Sequence, residues 1–229
     1  MKNVTETIKE ELIKRCENYE KKTNYNYWEN HIKYVVKNAK ELAKKYNADI
    51  EIVELGALLH DIAVPSEYGD IEEHHIYGEK IAEELLTKLK YPREKIELVK
   101  KCVLNHRSST KLNRDSIEEQ CVADADVMAH FDCIPDLFSL VYHDKNMNIK
   151  ERAEYVKKKL ERDFEKLSPA SKEILKDRFD TIMKVLFIYE INACDIDVEE
   201  SGTSLICPFL REWHDEDKKY SMMKFAMYD

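Results

Sequence analysis

The chain has 229 residues, a formal net charge of −9 at pH 7, 36% charged residues, and only 4 Gly and 5 Pro. So few backbone breakers exclude a many-turned sandwich or barrel and favour long helices with short connections, so the expected class is all-α. The negative balance repels a phosphate backbone and argues against a nucleic acid polymer as partner, yet leaves room for a small phosphorylated ligand where a metal reverses the local field.

At this length the core is large enough to fold without disulfides or metal. The opening Met1-Lys2-Asn3-Val4-Thr5-Glu6 has no apolar core of the signal-peptide kind, and no stretch reaches bilayer-spanning length. Cys16, Cys102, Cys121, Cys133, Cys194 and Cys207 form no CxxC pair. They read as reduced thiols of a cytoplasmic protein with no membrane partner.

In chain order, a first helix is expected over residues 5 to 21 with Thr5 as N-cap. A second starts at Tyr27-Trp28, where Trp28, His31, Val35, Ala39, Leu42 and Tyr46 recur every three or four residues and put His31 on the buried face. Asn47-Ala48-Asp49 breaks it, and Asp49 caps a third helix running to His60-Asp61, with Ile52, Leu55, Leu59 and Ile62 as its inward stripe. After a loop from Pro65 to Asp70, His74 opens a helix that Tyr91-Pro92 stops, and Pro92 suits the first position of the next. That helix carries Ile96, Val99, Cys102 and Val103 inward and ends at His106.

Beyond a polar loop from Ser108 to Arg114, Ser116 and Glu119 have capping-box spacing and start a helix containing Asp124 and Asp126, which Pro135 kinks or restarts. From about Asn146 the pattern changes to long, charged amphipathic helices, one to Leu167 and one from Pro169 to Asn192. A short helix around Phe209–Trp213 is expected in the tail. The organisation expected is a domain over 1–145 and a helical extension over 146–229 packed on the same core. The extension can serve as a lid or as a homodimer surface.

His31, His60-Asp61, His74-His75, Asn105-His106-Arg107 and Asp124-Ala125-Asp126 therefore fall within or at the ends of helices. Imidazole and carboxylate together form a nitrogen/oxygen set suited to divalent Mn, Fe, Co, Ni or Zn. A lone His-Asp pair is more often a hydrogen-bonded helix end, and a lone His31 a satisfied core histidine. Asp126 is harder to explain that way, because a carboxylate in an apolar helix is costly unless paired or metal-bound.

The order His31, His60-Asp61, Asp126, with His74-x-x-x-Gly78 between, resembles the HD-domain superfamily of metal-dependent phosphohydrolases over about residues 28 to 140. The resemblance implies an HD-domain-like helical bundle with His31, His60, Asp61 and Asp126 as metal ligands and Asp124 as a supporting or alternative one. His74 and His106 fall where two-metal members place further ligands. With one ion (Mg included) they would instead bind phosphate or protonate the leaving oxygen. The implied reaction is hydrolysis of a small phosphorylated metabolite or nucleotide by water that the ion activates, with Asp61, His74, His106 and Arg107 as catalytic groups.

One departure concerns phosphate binding. Many members follow the His-Asp pair with Ile-Gly-Lys, whereas here Ile62-Ala63-Val64 follows, and Arg107 is the candidate replacement cation. Two other readings are an HD-type di-iron oxygenase and a non-catalytic regulatory domain with a structural metal. His75 reads as a surface or supporting residue, His130 as core or surface although one turn after Asp126 it can reach the site rim, His143 and His214 as ordinary polar residues, Trp28 and Trp213 as packing, and Lys157-Lys158-Lys159 as a solvated face.

Overall fold

Asparagine rather than threonine starts the first helix. In this computed structural model, which describes residues 3–107, 114–142 and 147–191, Asn3 is the N-cap of α1 (Val4–Thr23), its side chain accepting from Thr5 N–H at 3.3 Å. Thr5 lies inside the first turn, too late for that role. The expected tail helix, Cys194, Cys207, His143, His214 and Trp213 lie outside the described residues.

The second helix opens differently from the regular period. Trp28–Ile32 form a π turn, in which Lys33 N–H reaches Trp28 O five residues back, before α2 (Lys33–Tyr46) takes over. Such a wider turn inserts an extra residue and re-aims the side chains it carries, here His31. Asn47 ends α2 in the left-handed conformation that asparagine tolerates.

Asp49 caps α3 (Ile50–Leu59), accepting from Glu51 and Ile52 N–H, as expected. The single inward stripe expected for α3 is too narrow: Val53, Gly56, Ala57 and Leu58 are buried as well. The reason is its surroundings, since α3 contacts α1, α2, α5 (Arg93–Asn105) and α6 (Ile117–Asp132) and is apolar nearly all round, like a core helix. Turns then carry the chain from His60 through Glu67.

A short 3₁₀ turn, Ile71–Glu73, leads into α4 (His74–Lys88). Pro92 is the N-cap of α5 rather than its first residue. Ser116 caps α6 by accepting from Glu119 N–H at 3.2 Å, but the Glu119 carboxylate does not complete the box; it accepts from Asn105 Nδ2 at 2.7 Å and ties α6 to the end of α5. Pro135 marks a restart: α6 ends at Asp132 and α7 runs Ile134–Tyr142.

Asn148 and Glu151 form a reciprocal capping box on α8 (Ile149–Lys166), and Ser168 receives Ser171 N–H at the start of α9 (Pro169–Ile191). Helices α8 and α9 pack on each other and on α6, and all described helices belong to one unit, Met1–Ala193. The described residues contain nine α-helices and no strand, so the fold is all-α. Among them no helix is long and apolar enough to cross a membrane.

Two glycines set how closely the site-bearing helices approach. A Cβ at Gly56 would stand 2.7 Å from Cys102 Cβ and 3.1 Å from Val122 Cγ2, so α3 meets α5 and α6 there almost backbone to side chain. At Gly78 a Cβ would stand 3.2 Å from Val103 Cγ1 and 3.4 Å from the His60 carbonyl oxygen. One turn after His74, this glycine lets α4 lie against the ends of α3 and α5. Cys16, Cys102 and Cys121 are buried free thiols. Burial pushes Cys16 up to about 11 and Cys121 up to about 12, which keeps both protonated and unreactive.

Candidate metal centre

Three histidines reach the centre by one local device. His60 follows the last residue of α3, His74 is the first residue of α4, and His106 follows the last of α5. Each directs its Nδ1 to the carbonyl oxygen three residues earlier: His60 to Ala57 at 2.7 Å, His74 to Ile71 at 2.7 Å, His106 to Val103 at 2.6 Å. A proton on Nδ1 makes that bond, so the lone pair of each ring is left on Nε2. The three Nε2 atoms point into a common space.

There the residues sort into two triads. The ligand atoms of His31, His60 and Asp126 lie within 4.8 Å of one another, as do those of Asp61, His74 and His106. His31 Nε2 is 3.2 Å from His60 Nε2 and 3.1 Å from Asp126 Oδ1. His74 Nε2 is 3.2 Å from His106 Nε2. Asp61 spans the two groups: Oδ2 is 3.3 Å from His60 Nε2 and 3.7 Å from His31 Nε2, while Oδ1 is 3.3 Å from His74 Nε2 and 3.5 Å from His106 Nε2.

These spacings suit a shared cation. Two nitrogens each about 2.1 Å from one ion, at ordinary coordination angles, are about 3.0–3.4 Å apart. Two imidazoles whose Nε2 atoms face each other without a cation or proton between them would oppose lone pairs. The donor set therefore fits divalent metal, with one position for each triad and Asp61 between them.

The electrostatics agree. Burial alone would push the fully buried His60 imidazole down, but the Asp61 charge and hydrogen bond, with Asp126 behind, carry it up to about 9. Burial would push the Asp61 carboxyl up, yet His60 and the His106 hydrogen bond hold it well below the usual carboxylate range. Asp126 behaves likewise: burial opposes its charge, and His31 and His130 restore it. The cage retains positive charge against the cost of desolvation.

Of the remaining residues singled out by sequence, Asp124 turns away. It accepts from Gln120 Nε2 at 2.8 Å, Ser168 Oγ at 2.5 Å and Ser171 Oγ at 2.7 Å, which fastens α6 to the start of α9. Arg107 lies at the rim of the cleft, where its guanidinium is held by the Glu72 carbonyl and by Glu72 Oε2 at 2.6 Å. His75 sits beside His74 and has a buried Nδ1 without a hydrogen-bond partner in the described structure.

Apart from His130, which lies within reach of the rim one turn after Asp126, sequence reasoning missed the wall opposite. The cage opens into a cleft of about 680 Å³ lined by Tyr27, His130, Tyr155, Lys159, Arg162 and Lys166 in addition to the cage residues. His130 stacks on His31, with ring centroids 5.6 Å apart and planes 21° apart, and bonds Asp163 Oδ2 through Nδ1 at 3.0 Å. Burial would raise Asp163, but the His130 hydrogen bond and the Lys159 charge hold it far below its ordinary value. Lys159 is thus not part of a solvated face; only Lys158 of the lysine run is exposed and paired with Glu154. The usable signal was the spacing 155, 159, 162, 166, one face of a helix, though nothing in the sequence says which way that face turns.

A family model for the HD domain matches residues 28–130, the segment from the π turn to the end of α6 that holds both triads. That segment is similar to the HD-domain family. Bacillus subtilis YpgQ, solved alone and in complex with ADP, superposes with a TM-score of 0.62 in both cases, at 18% and 19% identity over 85% and 84% of this chain and 100% of that one. A predicted HD superfamily hydrolase from an uncultured Thermotogales bacterium gives a TM-score of 0.56 at 20% identity, covering 82% of this chain and 91% of that one. An uncharacterized protein of Clostridium beijerinckii is 35% identical over 63 residues, 28% of this chain, and the match spans 40% of that relative's length.

Proposed function

We propose that the protein is a metal-dependent phosphohydrolase acting on a small phosphorylated metabolite or nucleotide. The observation that carries this reading is Asp61, whose two oxygens face two separate imidazole pairs. His31, His60 and Asp126 would hold one divalent ion, His74 and His106 a second, with Asp61 shared. Bound there, the ions supply Lewis acidity that lowers the pKa of water and offsets charge gathering on phosphoryl oxygens.

The chain's own residues do the rest. The Nδ1 bonds to Ala57, Ile71 and Val103 fix each ring so that a neutral Nε2 is presented to the cleft. The His130 ring packed on His31 limits movement of the least tethered imidazole. Arg107, clamped by Glu72, closes the rim near His74 with a positive charge. YpgQ, of the same fold, takes ADP, a ligand of the proposed chemistry. The buried free thiols suit the cytoplasm, where we place it.

The test is direct. Elemental analysis is expected to find two divalent ions per chain, and a panel of nucleotides and phosphate esters with Mn, Co, Ni or Mg is expected to release phosphate. Asp61→Ala should lower that rate by roughly 10³-fold or more, about 4 kcal/mol of transition-state stabilisation. Phosphate release that survives Asp61→Ala at the wild-type rate would overturn the reading.

A further inference from the structure

Ile62, Ala63 and Val64 after the His-Asp pair bring no lysine to the cleft, and Arg107 is already engaged by Glu72. We propose that Lys159, Arg162 and Lys166 of α8 form the phosphate-binding wall and select substrates carrying two or more linked phosphate groups. This rests on the phosphohydrolase reading and names its substrate class.

The geometry supplies the argument. Residues 159, 162 and 166 repeat at three and four positions, so their side chains share one face of α8, and all three line the cleft that contains the cage. From Lys159 to Lys166 the helix axis advances about 10 Å, more than a single phosphoryl group occupies. Such a row matches an extended polyanion with one end at the cage.

Asp163 makes the row a built feature. Only 3% exposed, it accepts from Lys159 Nζ at 2.8 Å and from Lys166 Nζ at 3.4 Å, and also binds His130. One carboxylate holding two ammonium groups fixes their direction while leaving net positive charge on the wall. Arg162 makes no ion pair among the described residues and keeps its planar fork for a phosphate, which it can grip with two hydrogen bonds. In a chain of net charge −9, this wall concentrates positive potential where an anion must enter.

The experiment is calorimetric titration of the intact protein with inorganic tripolyphosphate and, separately, inorganic phosphate, with magnesium in excess over both. Arg162→Gln/Lys166→Gln should weaken tripolyphosphate roughly a hundredfold, about tenfold for each charge-assisted hydrogen bond removed, and inorganic phosphate less than about threefold. Lys158→Gln removes one positive charge from an exposed site outside the cleft lining and should change neither. Equal weakening of both anions, an equal effect of Lys158→Gln, or no effect of the double variant would overturn the assignment. Because binding is read rather than turnover, absence of hydrolysis in the wild type sinks the hydrolase reading, whereas unaltered tripolyphosphate binding in the double variant sinks only the wall.

Discussion

In the cage, four imidazoles and two carboxylates from the π turn, α3, α4, α5 and α6 meet with little access to water; the His60 side chain has none. Along α8, Lys159 and Lys166 keep 23% and 33% of their side chains exposed, and their one buried partner is Asp163. The same kind of charge behaves differently in the two places. Inside the cage, a group deprived of its partner has no water to turn to, so each interaction is strong and depends on the others. On α8, water screens each charge, so a single change costs the fold little and its effect is felt in how a ligand is held.

The comparison is sharpened most by pH. His60, raised from 6.5 to about 9, stabilises the metal-free fold through its bound proton. That contribution is complete below pH 6.5 and is lost as pH rises through about 9, a change of about 3 kcal/mol. Denaturant unfolding of chelator-treated protein at about pH 6 and about pH 9.5, on either side of that window, should show it. Metal must displace the same proton, so affinity for metal should rise across this window. A flat stability profile would show that the cage does not hold its proton as described.

Asp124 tests where one region ends and the other begins. Asp124→Ala strands Ser168 and Ser171 and should cost about 2 kcal/mol by denaturant unfolding. Bound metal should remain at the wild-type ratio. Lost metal would instead place Asp124 functionally with the cage. The smallest effect belongs to α8 alone: Asn148→Ala removes the capping box and should lower stability by about 1 kcal/mol, with catalytic rate unchanged.

Much of this was legible in the sequence because helical period and caps are local. Asp49, Asn47 and Ser116 mark helix boundaries through their own hydrogen bonds, and the spacing of Trp28, His31 and Val35 puts the histidine inward. Other features depend on packing that no local pattern encodes. Glu119 leaves its capping box because Asn105 of α5 comes within reach. Asp124 and Asp126 lie two residues apart on one helix, and only the position of α9 decides that the first turns to serines. The face of α8 with Lys159 and Arg162 has a visible period, but its direction is set by packing against α6, α7 and α9.

The recurring bond from a histidine's Nδ1 to the carbonyl three residues back has a kinetic side. Each of the three arms is aimed by its own helical turn, so the rings need little reordering when an ion arrives, and capture forfeits correspondingly little side-chain freedom. Fraying at the end of α3 or α5 would swing an arm away, so the lifetime of a bound ion is tied to how often those final turns open.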